Sequence, residues 1–460
     1  GVGAALLNRD PILAFTSEAP RNMMGRTVQM AIDQQTLFQP LTKKTTRLEP
    51  SRVSAVMDDA FLVATSEIPG PVHIGLPGDL AGMEVPVDAM DGPAAAAEGP
   101  QVAPAESSAL QKMKDVFRAA SRPVLAVGLG AVRSRSDSLI RQLAERHNVP
   151  VVLTPMAKGM LSEDHPWYSG VLFHALSDIV AETHQQADLV VGIGYDPVEF
   201  NYEAWMPHVP LLHIDVKPAD IDKSEYTDVV DVLGAIPASI EALLTEEPLA
   251  SDWDPSALEE RRNRMKQHFT PKPGAFGPVS ALHLLREKLP EDGIMACDVG
   301  SHTHLIGQMW RTPEPGLQIM DNGWSSMGFG VPAAIAAKIA AAEREVACVV
   351  GDGGFLMMAG EMATAKRIGA RVVFVMLCDN SLDLIRLKQD RRGNRPYGTA
   401  LGPDLSTGDG DMFGVPVLKA TDESSYREAL DKAFGADGPV IVKAFIDPSE
   451  YDGLILRKHK

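Results

Sequence analysis

The chain has 460 residues, of which 45% are apolar, 23% charged and 6% aromatic, a composition that excludes collagen, a disulfide scaffold and wholesale disorder. Lys and Arg number 43 against 61 Asp and Glu, a net charge of −18 that repels nucleic acid and anionic lipid. The length gives room for two to four domains, and three fits best. No run is long enough for a membrane span and no signal peptide is read at the start, so no membrane or nucleic-acid partner is expected, and the expected location is cytoplasmic. The three cysteines, Cys297, Cys348 and Cys378, form no CxxC pair and lie in apolar runs, as small buried hydrophobes of a reducing compartment do.

In chain order, residues 1–8 read as the end of a helix whose beginning is absent. A strand over 11–16, a helix over 51–66 and a strand over 72–76 follow. This first block, residues 1–84, is too short for a complete domain. Residues 85–106, rich in Pro, Ala and Gly, read as a linker. Residues 107–248 alternate helices (107–119, 137–147) with strands (124–127, 151–154, 189–193, 211–214), the pattern of a parallel sheet with crossover helices. Here Gly128-Leu129-Gly130 follows a strand like the start of a dinucleotide fingerprint, but Arg133 stands at the third glycine, so a plain turn and a weak nucleotide site both stay open. The polar, proline-containing stretch 249–273 reads as a second linker. Residues 274–460 place short apolar strands (294–297, 346–350, 372–377, 440–445) between helices (279–289, 330–342, 356–368, 383–389, 424–434), as buried parallel strands require. The fold class is α/β, with parallel sheets covered by helices on both faces and three domains, the first incomplete.

The most informative segment is Gly351-Asp352-Gly353-Gly354, where an apolar strand meets a glycine-rich turn and then a helix. Such a turn offers N–H groups to an anion, and Asp352 adds a hard oxygen ligand for Mg²⁺. A diphosphate with Mg²⁺ fits both; so does an ordinary tight turn, as in the second copy, Gly408-Asp409-Gly410, which lies in a polar loop. The next strand ends in Asp379-Asn380-Ser381, and one strand–helix–strand unit brings adjacent strand ends together at the carboxyl edge. Asp352, Asp379 and the Ser381 carbonyl would then face one cation, although the same residues could merely cap a helix.

At this point the sequence resembles the thiamine diphosphate enzymes, and over almost its whole length the acetolactate synthase group. Asp298-Val299-Gly300-Ser301-His302 and Asp321-Asn322-Gly323-Trp324-Ser325-Ser326-Met327-Gly328 look like its cofactor-domain segments, and Gly194-Tyr195-Asp196-Pro197-Val198-Glu199 looks like the catabolic, flavin-independent branch. The resemblance implies thiamine diphosphate and Mg²⁺ as cofactors, and no FAD is expected. It implies metal ligation by Asp352, Asp379 and Ser381, and a cofactor site that includes Gly351, Asp352, Gly353, Gly354, Ser301, His302, Ser325 and Met327. Met327 would sit under the cofactor and hold it bent. His304 reads as structural. Leu384, Ile385 and Lys388 would line the substrate pocket, Lys388 standing where relatives carry Trp or Gln. A cation there either is a solvated helix residue or favours a substrate with a second anionic group. Gln29 falls near the expected pocket in the first block.

The implied activity is decarboxylation of a pyruvate-like 2-oxo acid, with transfer of the two-carbon unit to a second carbonyl, by a homodimer or homotetramer. The alternatives are a 2-oxo acid decarboxylase or an enzyme like sulfoacetaldehyde acetyltransferase. From another class comes a non-catalytic paralogue, because the Glu that activates the cofactor in this family would precede Gly1. Glu18 and Glu49 do not match that motif.

Overall fold

The computed structural model describes residues 1–29, 31–84, 101–172, 174–199, 206–402 and 410–454. The chain forms two compact units, Gly1–Ala103 and Pro104–Lys460. Most of the linker expected at 85–106, and most of Gly408-Asp409-Gly410, lie outside the described residues.

In the first unit, strands β1 (Leu13–Glu18), β2 (Lys44–Arg47) and β3 (Val72–Pro77) pair in parallel in the order β1-β3-β2. Only β3, flanked on both sides, is almost wholly buried, and Val72 and Ile74 pack against Ala60 and Ala64 of the helix Val53–Thr65. The first strand starts two residues later than the hydrophobic run suggests and ends in Glu18. That carboxylate is buried, paired with Arg47 at 2.6 Å and bonded by Gln35 at 2.9 Å, which commits it to the fold.

The second unit contains two larger sheets. The central one consists of β4 (Pro123–Val127), β5 (Val151–Leu153), β6 (Tyr168–Val171), β7 (Leu189–Ile193), β8 (Leu211–Asp215) and β9 (Val229–Leu233). Its order is β6-β5-β4-β7-β8-β9 and all its pairs are parallel, so the chain direction across the sheet reverses between β4 and β7. The third sheet holds β10 (Ile294–Cys297), β11 (Gln318–Met320), β12 (Val346–Gly351), β13 (Val372–Cys378), β14 (Asp411–Met412), β15 (Val415–Ala420) and β16 (Val440–Phe445), in the order β11-β10-β12-β13-β16-β15-β14. Only the short β14 runs antiparallel. Because side chains alternate along a strand, Val346, Cys348 and Val350 pack into one apolar layer and Ala347 and Val349 into the other, which is why these strands are apolar at every position. All three cysteines are free and buried.

The stretch 249–273, expected as a second linker, is not without regular structure. It contains the helix Pro255–His268, capped by Asp254, with Pro255 at its first position, where a missing N–H costs nothing. Leu258 and Met265 bury in the central core and Arg261 pairs with Glu182 at 3.2 Å. Its apolar stripe is too narrow to show as periodicity, and the proline marks a start rather than a break. A buried lysine joins the two sheets' surroundings: Lys158 Nζ donates to the carbonyls of Gly307 and Trp310 at the end of the helix Ser301–Met309 and pairs with Glu163 at 2.9 Å. No described helix is long and apolar enough to cross a membrane.

Candidate active site

The neighbouring strands β10, β12 and β13 end at one edge of the third sheet, and the loops that leave them enclose a cavity of about 430 Å³. Parallel sheets bind ligands at this edge, because the loops there are free to diverge while the strands fix their origins. After β12 the chain enters the helix Asp352–Met358 at once. Gly353 and Gly354 are thus the first helical turn, and the single helix expected over 356–368 is two, the second being Glu361–Ile368. Glycine is a poor helix former, so local propensity placed the start too late. Tertiary contact reverses that preference, since a Cβ on Gly354 would lie 1.9 Å from Asp298 Oδ2 and one on Gly353 2.6 Å from Leu382 Cδ2.

Asp352 accepts the N–H of Gly353 at 2.8 Å and of Asn380 at 2.7 Å. Asn380 stands at φ 55, a left-handed conformation that Asn tolerates better than most residues. Asp379 accepts the Ser381 N–H at 2.9 Å through one oxygen, and its other oxygen has no donor among the described residues. Ser381 bridges to Ala400, but the two bonds of that bridge run from Leu382 N–H to Thr399 and from Leu401 N–H to Asn380, so the Ser381 carbonyl stays outside it. Burial raises the carboxyls of Asp352, Asp379 and Asp383; that of Asp379 is pushed up to about 7, by burial first and then by the charges of Asp352 and Asp383. The nearby Arg386 is committed to Asp383, Asp390 and Asp452. A divalent cation is what would relieve this concentration of negative charge. Among the described residues no three His, Cys, Asp or Glu side chains form a metal group. Two carboxylates and a carbonyl nonetheless suit Mg²⁺, which keeps water and phosphate oxygens as its other ligands.

The opposite wall comes from residues 299–304 and 321–327. Asp298, fully buried, accepts the N–H groups of Gly328 and Gly330 at 3.1 and 3.3 Å, and Asp321 accepts those of Trp324 and Ser326 at 3.1 and 2.9 Å. These two acids fix the backbone that carries Met327 and Ser325, the latter at φ 56. The Met327 methyl lies 3.4 Å from where a Cβ on Gly353 would stand. His302 is buried between Gly300 and Gly351. Burial holds its imidazole neutral, down to about 4, and its Nε2 has no partner among the described residues. Ser301 lines the cavity and donates to Asp383 at 3.4 Å. Leu384, Ile385 and Lys388 share one face of the helix Asp383–Arg391 on the cavity wall, and Lys388 is exposed with no ion pair among the described residues.

One cavity therefore collects Gly351, Asp352, Gly353, Gly354, Ser301, His302, Ser325, Met327, Asp379, Ser381, Leu384, Ile385 and Lys388. Gln29 lies exposed in the first unit. His304, read from sequence as structural, does line the cavity, with its ring tilted against His174 at 5.6 Å. His174, from the loop after β6, was missed because nothing local marks it; the only trace is Gly307, where a Cβ would come within 2.2 Å of the His174 ring.

Residues 298–444 match the C-terminal TPP binding domain of thiamine pyrophosphate enzymes, and residues 110–243 match the central domain of those enzymes. The probable acetolactate synthase large subunit of Methanocaldococcus jannaschii is 28% identical, over 98% of this chain and 79% of its own length. The acetolactate synthase of Bacillus subtilis is 27% identical over 98% and 80%, and the acetolactate synthase isozyme 2 large subunit of Escherichia coli 26% over 98% and 82%.

Proposed function

The chain belongs to the thiamine pyrophosphate enzymes of the acetolactate synthase type, and from that premise we propose that it uses thiamine diphosphate with Mg²⁺ to decarboxylate a pyruvate-like 2-oxo acid and pass the two-carbon unit to a second carbonyl compound. The observation that carries this reading is the pair of half-buried carboxylates, Asp352 and Asp379, at adjacent strand ends, with an open carboxylate oxygen and no ion pair of their own among the described residues. Asp352, Asp379 and the Ser381 carbonyl hold the metal. The first helical turn after Gly351 and the neutral His302 Nε2 donate to or accept from the diphosphate side, and Met327 supports the cofactor opposite Gly353. When bound, thiamine diphosphate supplies a carbon nucleophile and an electron sink. Leu384 and Ile385 give the substrate side an apolar wall that limits water.

Lys388 favours one variant of this reading. Its ammonium on the cavity wall, without an ion pair among the described residues, suits an acceptor or donor with a second anionic group, such as a sulfonate. Association into a homodimer or homotetramer is supported by the apolar residues exposed on the first unit, among them Phe15 at 48%, Ile32 at 65% and Phe61 at 56%. Light scattering of the cofactor-loaded protein should give a dimer or tetramer; an active monomer contradicts it.

The deciding experiment is calorimetry of thiamine diphosphate binding with Mg²⁺ and with chelator. Wild type binds only with the metal, and Asp352→Ala and Asp379→Ala each lose that metal-dependent affinity, since each removes an anionic ligand from a cation with few protein ligands. Unchanged affinity in both variants overturns the reading.

A further inference from the structure

The crevice between β4 and β7, where the central sheet reverses, is where sheets of this topology bind nucleotide phosphates, on N–H groups that follow the strand ends. In this protein the chain itself fills it. Gly194, at φ 57 just after β7, presses into the glycine turn after β4: a Cβ on Gly128 would lie 2.7 Å from the Gly194 carbonyl oxygen, and one on Gly194 2.1 Å from Ala131 N. Five residues beyond Gly194 the Glu199 carboxylate, 3% exposed, accepts the Leu129 N–H at 3.1 Å, the Met156 N–H at 2.8 Å and the Thr154 hydroxyl at 2.6 Å. The donors come from the segments that follow β4 and β5. The Glu199 backbone carbonyl also accepts the Asn322 amide at 2.5 Å, and Asn322 lines the cofactor cavity.

We propose that Glu199 is an internal anionic ligand: its carboxylate takes the place of a nucleotide phosphate in the central domain and closes that domain to nucleotides. Three converging donors define an oxyanion site, and a buried N–H without a partner is costly, so the site must be filled by something. Burial pushes the Glu199 carboxyl up to about 7 while the three hydrogen bonds pull it back. An ordinary buried carboxylate would stabilise the fold too. What separates the two is whether a free anion can stand in for it.

The test uses the full chain at roughly pH 8, above the Glu199 value, with thermal melts in formate or inorganic phosphate against chloride of equal ionic strength. Glu199→Ala should melt lower than wild type and recover much of the loss in formate or phosphate but not in chloride. Glu199→Gln, which fills the space but cannot accept from all three donors, should melt lower and recover nothing. Wild type should give no binding heat with ADP in the presence of chelator, which withholds the Mg²⁺ that the cofactor cavity needs to take a diphosphate. The proposal falls if Glu199→Ala responds equally to all three salts, if Glu199→Gln melts like wild type, or if wild type binds ADP with chelator present. Where Glu199→Ala does not fold, the Glu199→Gln and ADP results decide alone. None of these readouts involves thiamine diphosphate, so failure here leaves the reading of the cofactor cavity standing.

Discussion

On the proposed reading, the ammonium of Lys388 would set substrate choice without touching the reaction. It shares a helix face with Leu384 and Ile385, and a charge-assisted contact to a bound anion is worth ~1.5–3 kcal/mol where water is excluded, a tenfold or larger effect. Lys388→Gln should therefore lower kcat/KM for a dianionic acceptor at least about tenfold while pyruvate consumption stays nearly unchanged. An equal response to both substrates would assign Lys388 to the solvated face. At this scale the sequence was legible in position at Asp352 and Asp379, which the spacing put at adjacent strand ends and which line one cavity. It was mute at His174, whose place depends on a loop more than a hundred residues before the segment it packs on.

At the scale of the element, the helix Asp352–Met358 begins with two glycines that serve different neighbours. Gly354 makes room for the buried Asp298 carboxylate, which in turn holds Gly328 and Gly330, whereas Gly353 faces the movable end of Leu382 and the Met327 methyl. Gly354→Ala should destabilise the protein by about 1–3 kcal/mol through overpacking. Gly353→Ala, displacing only a side-chain end, should melt near wild type yet weaken binding of thiamine diphosphate. Melting curves and calorimetry on the two variants check both halves, and a reversed pattern would contradict this division. The same element shows why boundaries were misread: propensity counts a glycine as a helix breaker, and only contact with Asp298 makes it necessary. The helix Pro255–His268 was hidden for a related reason, since its few buried side chains gave no visible apolar face.

Over the whole molecule, burial sets opposing proton balances. His184 and His302 are fully buried and held neutral, at about 4 against an ordinary 6.5. Their unfolded forms bind protons that the folded forms refuse, so their contribution to stability is complete above pH 6.5 and falls as pH drops toward 4, by on the order of 3 kcal/mol each. Glu199 and metal-free Asp379, both raised to about 7, act in the opposite sense, because the folded protein keeps protons that the unfolded chain has released. His302→Asn isolates one component: its stability relative to wild type should improve as pH falls from about 6.5 to about 4 and stay level above that range. Urea melts across this range measure it, and a constant difference would mean that His302 titrates normally in the fold.

The sequence by itself determined the α/β class, the parallel sheets and the composition of the cofactor edge. Alternation of apolar runs with helical periods is a local property, and a Gly-Asp-Gly turn after a strand carries its chemistry in the residue types. The spacing had already paired the strand ends of Asp352 and Asp379; the tertiary structure set them with His302 around one cavity, and only it revealed the Glu199 carboxylate seated on the N–H groups of Leu129 and Met156. Those contacts join segments tens of residues apart. Their energies come from burial and from converging donors, which no window of sequence contains.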